Sequence, residues 1–357
     1  MTTIRLPGLI DPHVHLREPG GEHKEDFLSG TKAALAGGIT TVLTMPNTQP
    51  PMIDPDSLAL GEHAAAARAV CDWGIYLGAS ETNILTAAAL APRVVGMKFY
   101  LDATYGPLHI KDLRTIREHF ARFPKETSIV CHAEGRTIPA VLMCAYLENR
   151  SVHICHVSRA EEITLIRDAK MRGVAVTCEV APHHLFLSVE DSPHLGGGRC
   201  EVRPRLATKA DQAALWENMP VIDCFATDHA PHLLTEKDSE IPPPGFPGLE
   251  TALALMLTAV HEGRLALEAV IERMYDAPRR IFNLPEQPNT YCEVDADQVW
   301  SPTFEGTISR AAWTPFAGWT LRGRVVRTVL RGETLYEQGV FHVTAGSGQN
   351  VAPAARG

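Results

Sequence analysis

The sequence lacks four features, and each absence excludes a class of protein. It has no apolar run of about 18 or more residues, which excludes a transmembrane helix, and the segment Met1–Pro7 lacks the apolar core of a signal peptide. It has no Lys- or Arg-rich run, and 33 basic against 42 acidic residues leave a net charge of −9, which argues against binding nucleic acid. None of its eight cysteines forms a Cys-x-x-Cys pair. We therefore expect a protein of a reducing compartment, the cytoplasm, that binds neither nucleic acid nor membrane.

The distribution of apolar residues predicts a (β/α)₈ TIM barrel. Of the 357 residues, 45% are apolar and 21% charged, as in ordinary globular proteins. Short apolar runs, read as strands, occur at Gly8–His15, Ile39–Met45, Gly74–Gly78, Val94–Tyr100, Ser128–Ala133, Val152–Val157, Ala175–Val180 and Val221–Thr227. Helix-like segments between them include Lys24–Ala36, Pro55–Val70, Ile110–Arg122, Thr137–Glu148 and Ala160–Arg172, the last with Ser158 as its N-cap. Eight strand–helix repeats favour a closed parallel barrel over an open sheet.

The pattern changes near Cys292 to short strand-like runs joined by glycine turns, at Arg324–Arg331, Thr334–Tyr336 and Val340–Val343. This predicts a small antiparallel appendage. We therefore divide the chain into a barrel at 1–290, a β-rich subdomain packing on it at 291–345, and a flexible Gly- and Ala-rich tail at 346–357. The proline-dense connection Pro231–Pro247 is long enough to indicate a functional loop.

Polar residues inside the apolar runs carry the chemistry, because burying them without partners is costly. His13 and His15, two residues apart, lie on one face of the first strand. Five other strands end in such a residue: Lys98, His132, His156, Glu179 and Asp228. In a barrel these strand ends converge on the rim where active sites form. Imidazoles and carboxylates without a thiolate cluster suit a catalytic zinc site.

Lys98 is unusual in this set, since an ammonium group would repel a metal ion. A neutral lysine amine can react with CO₂ to give an anionic carbamate that bridges two metal ions, and this is our hypothesis for Lys98. A Schiff-base lysine, the alternative, would not require four histidines and an aspartate beside it. Cys155 remains open between a buried core thiol and a ligand.

Several stretches in this order resemble the amidohydrolase superfamily: DPHVHLREPGGEHKEDF, MPNTQPP, MKFY, CHAE, SVHICHVSRAEE, VTCEVAPHHLFLS, EVRPRL, IDCFATDHAPH and PPPGFPGLET. They cover residues 6 to 283, with a weaker match through WTPF to LRGETLY. The similarity is closer to dihydroorotases, and closer still to the dihydroorotase domain of the animal multifunctional pyrimidine-biosynthesis protein CAD.

The resemblance implies a role for each matching residue. His13, His15, the Lys98 carbamate and Asp228 would hold one zinc ion, and the same carbamate with His132 and His156 a second. Cys155 and Glu179 would hold a third near His13, so that two or three zinc ions bind per chain. The residues implied to bind substrate are Arg17, Asn47, Arg203, His232 and the backbone of Pro244.

The implied activity is zinc-dependent, reversible cyclisation of N-carbamoyl-L-aspartate to L-dihydroorotate, in pyrimidine biosynthesis. A metal-bridging hydroxide would be the nucleophile and Asp228 the general acid and base. The loop Asp102–Pro107, with Thr104 and Tyr105, would close over the substrate, an ordinary surface turn being the alternative. Tyr105 departs from the family, whose CAD-type loop typically carries Phe.

The resemblance also implies partners. We expect a homodimer, and an early His-x-His motif indicates a domain of a larger polypeptide with carbamoyl phosphate synthetase and aspartate transcarbamoylase. Two alternatives remain. A hydantoinase or allantoinase shares the metal ligands, but its substrates lack the ring carboxylate that Arg17 and Asn47 would bind. A non-catalytic dihydroorotase-like assembly domain typically loses ligands, and none is missing here.

Overall fold

The computed structural model describes residues 3–356; Met1, Thr2 and Gly357, the outermost positions of the predicted domains, lie outside the described residues. Eight parallel strands form the barrel in chain order. They are β2 (Leu9–Val14), β3 (Ile39–Thr44), β4 (Asp72–Gly78), β5 (Gly96–Tyr100), β6 (Ser128–His132), β7 (Val152–Ile154), β8 (Val176–Val180) and β9 (Cys224–Phe225). A second, antiparallel sheet contains β1 (Thr3–Pro7), β10 (Tyr291–Trp300), β11 (Leu321–Leu330), β12 (Glu333–Glu337) and β13 (Val340–Phe341). The predicted fold class is confirmed.

Helices cover the outside of the barrel and the loops of its rim. The α-helices are α1 (Phe27–Ala36), α2 (Pro55–Arg68), α3 (Leu113–Arg122), α4 (Thr137–Leu147), α5 (Ala160–Met171), α6 (Pro182–Phe186), α7 (Ser192–Leu195), α8 (Lys209–Glu217), α9 (Leu234–Lys237), α10 (Ala252–His261), α11 (Leu267–Ile271) and α12 (Ala277–Ile281). A π-helical turn at Glu272–Asp276 joins α11 to α12. Short 3₁₀ helices occur at Ala87–Arg93, Val189–Asp191, Gly197–Cys200, Met219–Val221 and Pro353–Arg356. Within residues 3–356, no helix has both the length and the apolar character needed to cross a bilayer.

The helices α1 and α3 begin three residues later than predicted, at Phe27 and Leu113, and the cap of α5 also differs from its prediction. The α1 helix begins at Phe27 and not at Lys24, because Asp26 has an extended backbone and its carboxylate accepts the amide hydrogen of Ser29 at 2.7 Å. Lys24 is thereby left outside the helix. The prediction that Ser158 caps α5 is wrong. Instead the Glu162 carboxylate reaches back and accepts the amide hydrogens of Ser158 and Arg159, each at 3.1 Å.

The barrel closes between its first strand and the segment that follows its last. Val14 forms a parallel bridge with His229, and the amide of His15 donates to the His229 carbonyl at 2.7 Å. Further into the barrel, the buried Asp11 carboxylate accepts hydrogen bonds from the amide and hydroxyl of Thr227. This closure places the end of β2 directly beside Asp228.

The appended sheet has the order β1-β10-β11-β12-β13. Its first strand comes from the beginning of the chain, with Thr3 opposite Asp295 and Pro7 opposite Tyr291. The sequence predicts those residues as part of the barrel, because nothing local marks a pairing that spans almost the whole chain. The division of the rest into a barrel and a β-rich subdomain stays a prediction.

Part of the tail at residues 346–357, for which flexibility stays a prediction, contacts the barrel. The amide of Trp73 donates to the Gln349 carbonyl, and the amide of Val351 donates to the Trp73 carbonyl, both at 2.9 Å. The side chain of Val351 is buried against the barrel. Composition does not predict these contacts, because glycine and alanine allow close backbone contact with β4 as readily as they allow disorder.

The buried cysteines follow the prediction. All eight are free, and Cys131, Cys155, Cys178 and Cys224 are fully buried on or beside barrel strands. The pKa values of these four thiols are raised, first of all by burial. They therefore stay protonated and behave as small apolar side chains, apart from Cys155, which also contacts Lys98.

Asp72 at the start of β4 joins the barrel to both additional parts of the chain. Its buried carboxylate accepts from Arg331 and Gln287, each at 2.6 Å, and from the amide of Gln349 at 2.9 Å. We predict that Asp72→Ala lowers the free energy of unfolding by about 3 kcal/mol, because it leaves a cation and two donors without their acceptor. Urea denaturation measures this. Asp168→Ala, at an exposed carboxylate, should have little effect, and equal stabilities of the two variants would contradict the prediction.

Candidate active site

A cleft opens at the carboxyl ends of the barrel strands, with about 330 Å³ of empty space. Most of the residues singled out from the sequence line it. They are His13, His15, Arg17, Asn47, Thr104, Tyr105, His132, His156, Arg203, Asp228 and Pro244. Tyr100, Ala230 and Gly245 complete the lining. Residues separated by more than two hundred positions thus face one small volume.

His13, His15 and Asp228 form the first cluster of ligand atoms. The Nε2 atoms of the two histidines lie 3.2 and 3.1 Å from Oδ1 of Asp228. Their other ring nitrogens are held from behind: Nδ1 of His13 contacts Glu179, and Nδ1 of His15 lies 2.8 Å from Oδ1 of Asn47. Because an ionised carboxylate or an amide oxygen only accepts, each Nδ1 carries the hydrogen and each Nε2 presents its lone pair to the cleft.

Lys98, Cys155, His132 and His156 form the adjoining wall. The fully buried Lys98 Nζ lies 2.7 Å from the Cys155 sulfur. The His132 and His156 rings are 4.5 Å apart, and Nδ1 of His156 is buried without a hydrogen-bond partner. Such an unpaired buried nitrogen is costly in an apoprotein and is the expected state of a metal ligand. Cys155 therefore lies at the cluster, and not in a remote part of the core.

Glu179 supports His13 from behind. One of its carboxylate oxygens contacts Nδ1 of His13, and the other lies 3.1 Å from Nε2 of His153. Burial by itself would raise the pKa of Glu179, but the two histidines lower it below its ordinary value. Its implied role as a direct metal ligand stays a prediction. The sequence gives no reason to single out His153, because its local pattern is that of a histidine in the protein core.

Neutral imidazoles and a carboxylate make a donor set that suits a divalent metal ion. Burial lowers the pKa of His13 to about 4. The pKa values of His15 and His156 are also lowered, in each case first by burial. Burial raises the pKa of Asp228. Ligand atoms lie within 4.8 Å of one another in two groups, His13–His15–Asp228 and His13–Cys155–His156.

Three non-glycine residues of the cleft adopt left-handed backbone conformations. The φ angles are 60° at Arg17, 33° at His156 and 46° at Asp228. Non-glycine residues rarely occupy this region, and strain of this kind is typical of functional sites. At each position the unusual φ follows the end of a strand, where it turns the side chain into the cleft.

The wall of the cleft around Arg17 is rich in hydrogen-bond donors. Arg17 is buried, and its Nε donates to the Pro231 carbonyl at 3.1 Å. His232 Nε2 lies 3.1 Å from the Pro244 carbonyl, within the proline-dense connection. That connection contains α9, and the buried Lys237 Nζ holds it by donating to the carbonyls of Pro243 and Gly245. Arg203 donates to the carboxylate of Glu201 and the carbonyl of Val202, both at 2.9 Å.

The loop Asp102–Pro107 lies over the cleft. Nδ2 of Asn47 donates to the Tyr105 carbonyl at 2.9 Å, and the Tyr105 ring packs edge-on against His232 with centroids 4.9 Å apart. Asn47 therefore connects the loop to His15. Sequence reasoning missed Lys24, whose Nζ lies 3.2 Å from the Tyr105 hydroxyl. Its position in the EHKEDF stretch, which resembles the family, is the sequence signal that could have identified it.

The family model described as "Amidohydrolase family" matches residues 4–272. The chain belongs to this family. Among curated relatives, this amidohydrolase is 55% identical over 348 residues to the multifunctional protein CAD of Squalus acanthias, covering 98% of this chain and 16% of that protein. The chain thus spans about one sixth of that relative's length. It is also 34% identical to the dihydroorotase of Pyrococcus furiosus, covering 94% of this chain and 82% of the relative. The predicted family resemblance is confirmed.

Two solved structures are also similar to this amidohydrolase. An L-hydantoinase from Arthrobacter aurescens matches with a TM-score of 0.93 and 26% identity, covering 98% of this chain and 89% of the other. An inactive dihydroorotase-like domain of a Chaetomium thermophilum CAD-like protein matches with a TM-score of 0.85 and 30% identity, covering 98% and 99%. The same fold therefore occurs with different activities, and the residues of the cleft have to distinguish them.

Removal of divalent metal should destabilise this amidohydrolase. Metal bound to the cluster but not to the unfolded chain stabilises the fold by about 4 kcal/mol at a thousandfold excess over Kd. We predict that a chelator lowers the melting temperature by several degrees and that added metal restores it. His13→Ala should abolish this response, whereas His63→Ala, at an exposed histidine, should retain it. An unchanged melting temperature after verified metal removal would contradict the prediction.

Proposed function

We propose that this chain is a dihydroorotase that interconverts N-carbamoyl-L-aspartate and L-dihydroorotate. The observation that carries the proposal is the position of Arg17. Its guanidinium lines the same cleft as His13, His15, His132, His156 and Asp228, so a carboxylate-bearing ring held by Arg17 would present its amide to the cluster. The 34% identity to a dihydroorotase over most of both chains supports this reading.

We propose that the metal is zinc, with two ions per chain. His13, His15 and Asp228 would hold one, His132 and His156 the other, and a CO₂-derived carbamate on Lys98 would be shared by both. A third ion near Cys155 and Glu179 extends the same proposal. Zinc bound in such a site supplies a water-derived nucleophile at neutral pH and polarises the carbonyl under attack. Lys98 is completely buried beside the Cys155 sulfur, and metal ions held by the neighbouring histidines would stabilise an anionic carbamate there, whereas they would repel an ammonium group.

We assign the proton transfer to Asp228. In hydrolysis it would take a proton from the attacking water and deliver it to the ring nitrogen as the amide bond breaks; in ring closure the order reverses. Burial raises the pKa of its carboxyl group, which favours a group that both accepts and returns a proton. The left-handed backbone of Asp228 directs the carboxylate into the cleft.

The donors around Arg17 account for substrate binding. A guanidinium binds a carboxylate through two parallel hydrogen bonds, and His232, Arg203, Asn47 and the Pro244 backbone offer further polar contacts at the cleft wall. With the loop Asp102–Pro107 lying over the cleft, bulk water would be kept from the reacting bond.

The proton balance sets the direction of the reaction. N-carbamoyl-L-aspartate carries two carboxylates and dihydroorotate one, so ring closure takes up one proton and releases one water. Lower pH therefore favours the ring and higher pH the open form, whatever the enzyme contributes.

Two alternatives remain distinguishable. A hydantoinase or allantoinase would act on rings without a carboxylate and leave Arg17 without a substrate partner. An inactive assembly domain would be expected to have lost metal ligands, whereas His13, His15, Lys98, His132, His156 and Asp228 are all present and grouped.

We also propose the partners implied by the resemblance: a homodimer, within a larger cytoplasmic polypeptide that carries carbamoyl phosphate synthetase and aspartate transcarbamoylase. The exposed apolar side chains Met143, Tyr146 and Leu147 on α4 support an interface on the outside of the barrel. Light scattering that gives a monomer at micromolar concentration would contradict the dimer.

The experiment that tests the function supplies the purified chain with zinc and bicarbonate and offers dihydroorotate, N-carbamoyl-L-aspartate, hydantoin and allantoin in parallel. Turnover of the first pair alone supports the proposal. Turnover of hydantoin or allantoin alone would keep the metal site and overturn the substrate. No turnover with metal bound would favour the assembly domain. Intact-mass measurement tests the carbamate, whose CO₂ mass should be lost in mild acid and regained with bicarbonate.

Replacement of Asp228 by asparagine should remove the proton-transfer group and keep its shape, since asparagine also tolerates left-handed backbone. We predict a fall in kcat of about 10³-fold, the usual contribution of a general acid and base. Metal content, measured by atomic emission, should be partly retained. Asp168→Asn is the exposed control. Fast turnover by Asp228→Asn would contradict the role assigned to this carboxylate.

Arg17→Lys keeps the charge and removes the two-pronged geometry. We predict that KM for dihydroorotate rises about 10- to 100-fold, with a smaller change in kcat, because the lost contact binds the carboxylate and not the reacting bond. Steady-state kinetics measures this, with the exposed Arg114→Lys as the control. An unchanged KM would mean that the carboxylate is bound elsewhere.

A further inference from the structure

We infer that Lys24 is a positioning residue that holds the Asp102–Pro107 loop closed and fixes the hydrogen-bonding role of His232. Its Nζ is mostly buried and lies 3.2 Å from the Tyr105 hydroxyl, 3.1 Å from Nδ1 of His232 and 2.9 Å from Oε1 of Glu236. An ammonium group has three donors and no acceptor. The three neighbours therefore use its full capacity.

The contacts of His232 with Lys24 and with the Pro244 carbonyl together fix its tautomer. Because the ammonium can only donate, Nδ1 of His232 has to accept, and the single hydrogen of the neutral ring resides on Nε2. That nitrogen lies 3.1 Å from the Pro244 carbonyl, to which it donates. Burial and the nearby cations Arg17 and Lys24 keep the ring neutral by lowering its pKa.

The consequence for the cleft is a pair of donors side by side. Nη2 of Arg17 lies 3.0 Å from Nε2 of His232, and since both nitrogens carry hydrogens they do not bond to each other. A carboxylate between them would receive a hydrogen bond from Arg17 and share the Nε2 hydrogen of His232 with the Pro244 carbonyl. A carboxylate is the acceptor that fits two adjacent donors, one of them charged. With the other tautomer, His232 would present a lone pair and repel that group.

Lys24 also forms a hydrogen bond with the loop Asp102–Pro107. The Tyr105 hydroxyl accepts from Nζ, while its ring lies 5.0 Å from the guanidinium of Arg17 and packs on His232. The ring contacts do not require a hydroxyl, but the bond to Lys24 does. We name the Lys24–Tyr105 hydrogen bond the latch. It joins the loop, through one ammonium group, to the residue that presents Nε2–H to the substrate.

The decisive experiment removes the hydroxyl alone and measures loop opening. Chymotrypsin cleaves after either tyrosine or phenylalanine, so Tyr105→Phe preserves the cleavage position and removes the latch. We expect the bond after residue 105 to be cut about tenfold faster, the usual equilibrium effect of one hydrogen bond to a charged group. Tyr146→Phe, which removes an exposed hydroxyl on α4, should leave the rate at residue 105 unchanged. Equal rates for Tyr105→Phe and the unmodified chain would overturn the latch.

A double-mutant cycle tests whether Lys24 and Tyr105 act as one unit. Lys24→Met should also accelerate cleavage after residue 105, and adding Tyr105→Phe to it should produce no further acceleration. Additive effects would show that the two residues hold the loop independently. Lys32→Met, at a lysine on α1 outside the cleft, is the matched control. These measurements need neither substrate nor metal and stand if the proposed function fails.

The role of Lys24 toward His232 rests on the proposed function and has its own readout. Lys24→Met should raise KM for dihydroorotate about tenfold, with a smaller change in kcat, because the carboxylate loses one of its two donors. A purely structural lysine would instead lower the melting temperature and leave KM unchanged, and that result would overturn the positioning role. If the unmodified chain turns over no dihydroorotate, the proposed function fails, and proteolysis still decides the latch.

Discussion

The closure of the barrel between β2 and the segment after β9 is the constraint on which the site depends. It brings together residues more than two hundred positions apart through the bridge of Val14 to His229 and the contact of Asp11 with Thr227. Because strand side chains alternate, a shift of one residue there would turn His13 and His15 away from Asp228. Asp11, whose pKa burial raises to about 7, accepts from Thr227 and from the amide of His13 and so fixes that register in the barrel interior.

Around this closure, the histidines of the cleft are oriented by neighbouring polar side chains. Glu179 orients His13, Asn47 orients His15, and Lys24 orients His232. In each case a group that can only accept or only donate decides which ring nitrogen carries the hydrogen. The lone pairs of His13 and His15 face the cluster, whereas His232 presents a donor. Histidines of one cleft thus have opposite hydrogen-bonding roles, acceptor at His13 and His15 and donor at His232.

Much of this arrangement could be predicted from the sequence. The barrel strands lie within about three residues of their predicted ends, because buried runs such as Ile39–Thr44 are apolar or β-branched throughout. The residues at the rim of the barrel could be predicted because they are polar side chains at the ends of apolar strands. Part of what failed depends on contacts between distant parts of the chain, since the pairing of β1 with β10 and the contacts of the tail with Trp73 leave no local pattern. The later start of α1 does have a local signal, because Asp26 caps the helix through Ser29. The cap of α5 failed because Glu162 competed with Ser158 for the same donors.

The left-handed residues Arg17, His156 and Asp228 limit how the cleft can change over evolution. At most positions of a protein a replacement is selected on its side chain alone. At these three, β-branched amino acids are disfavoured by backbone geometry before their chemistry matters, whereas asparagine, aspartate and glycine fit. Substitutions that alter the reaction are therefore drawn from a short list at these positions. Substitutions that change substrate choice are less restricted in the surrounding loops, where the backbone conformation does not select among amino acids in this way.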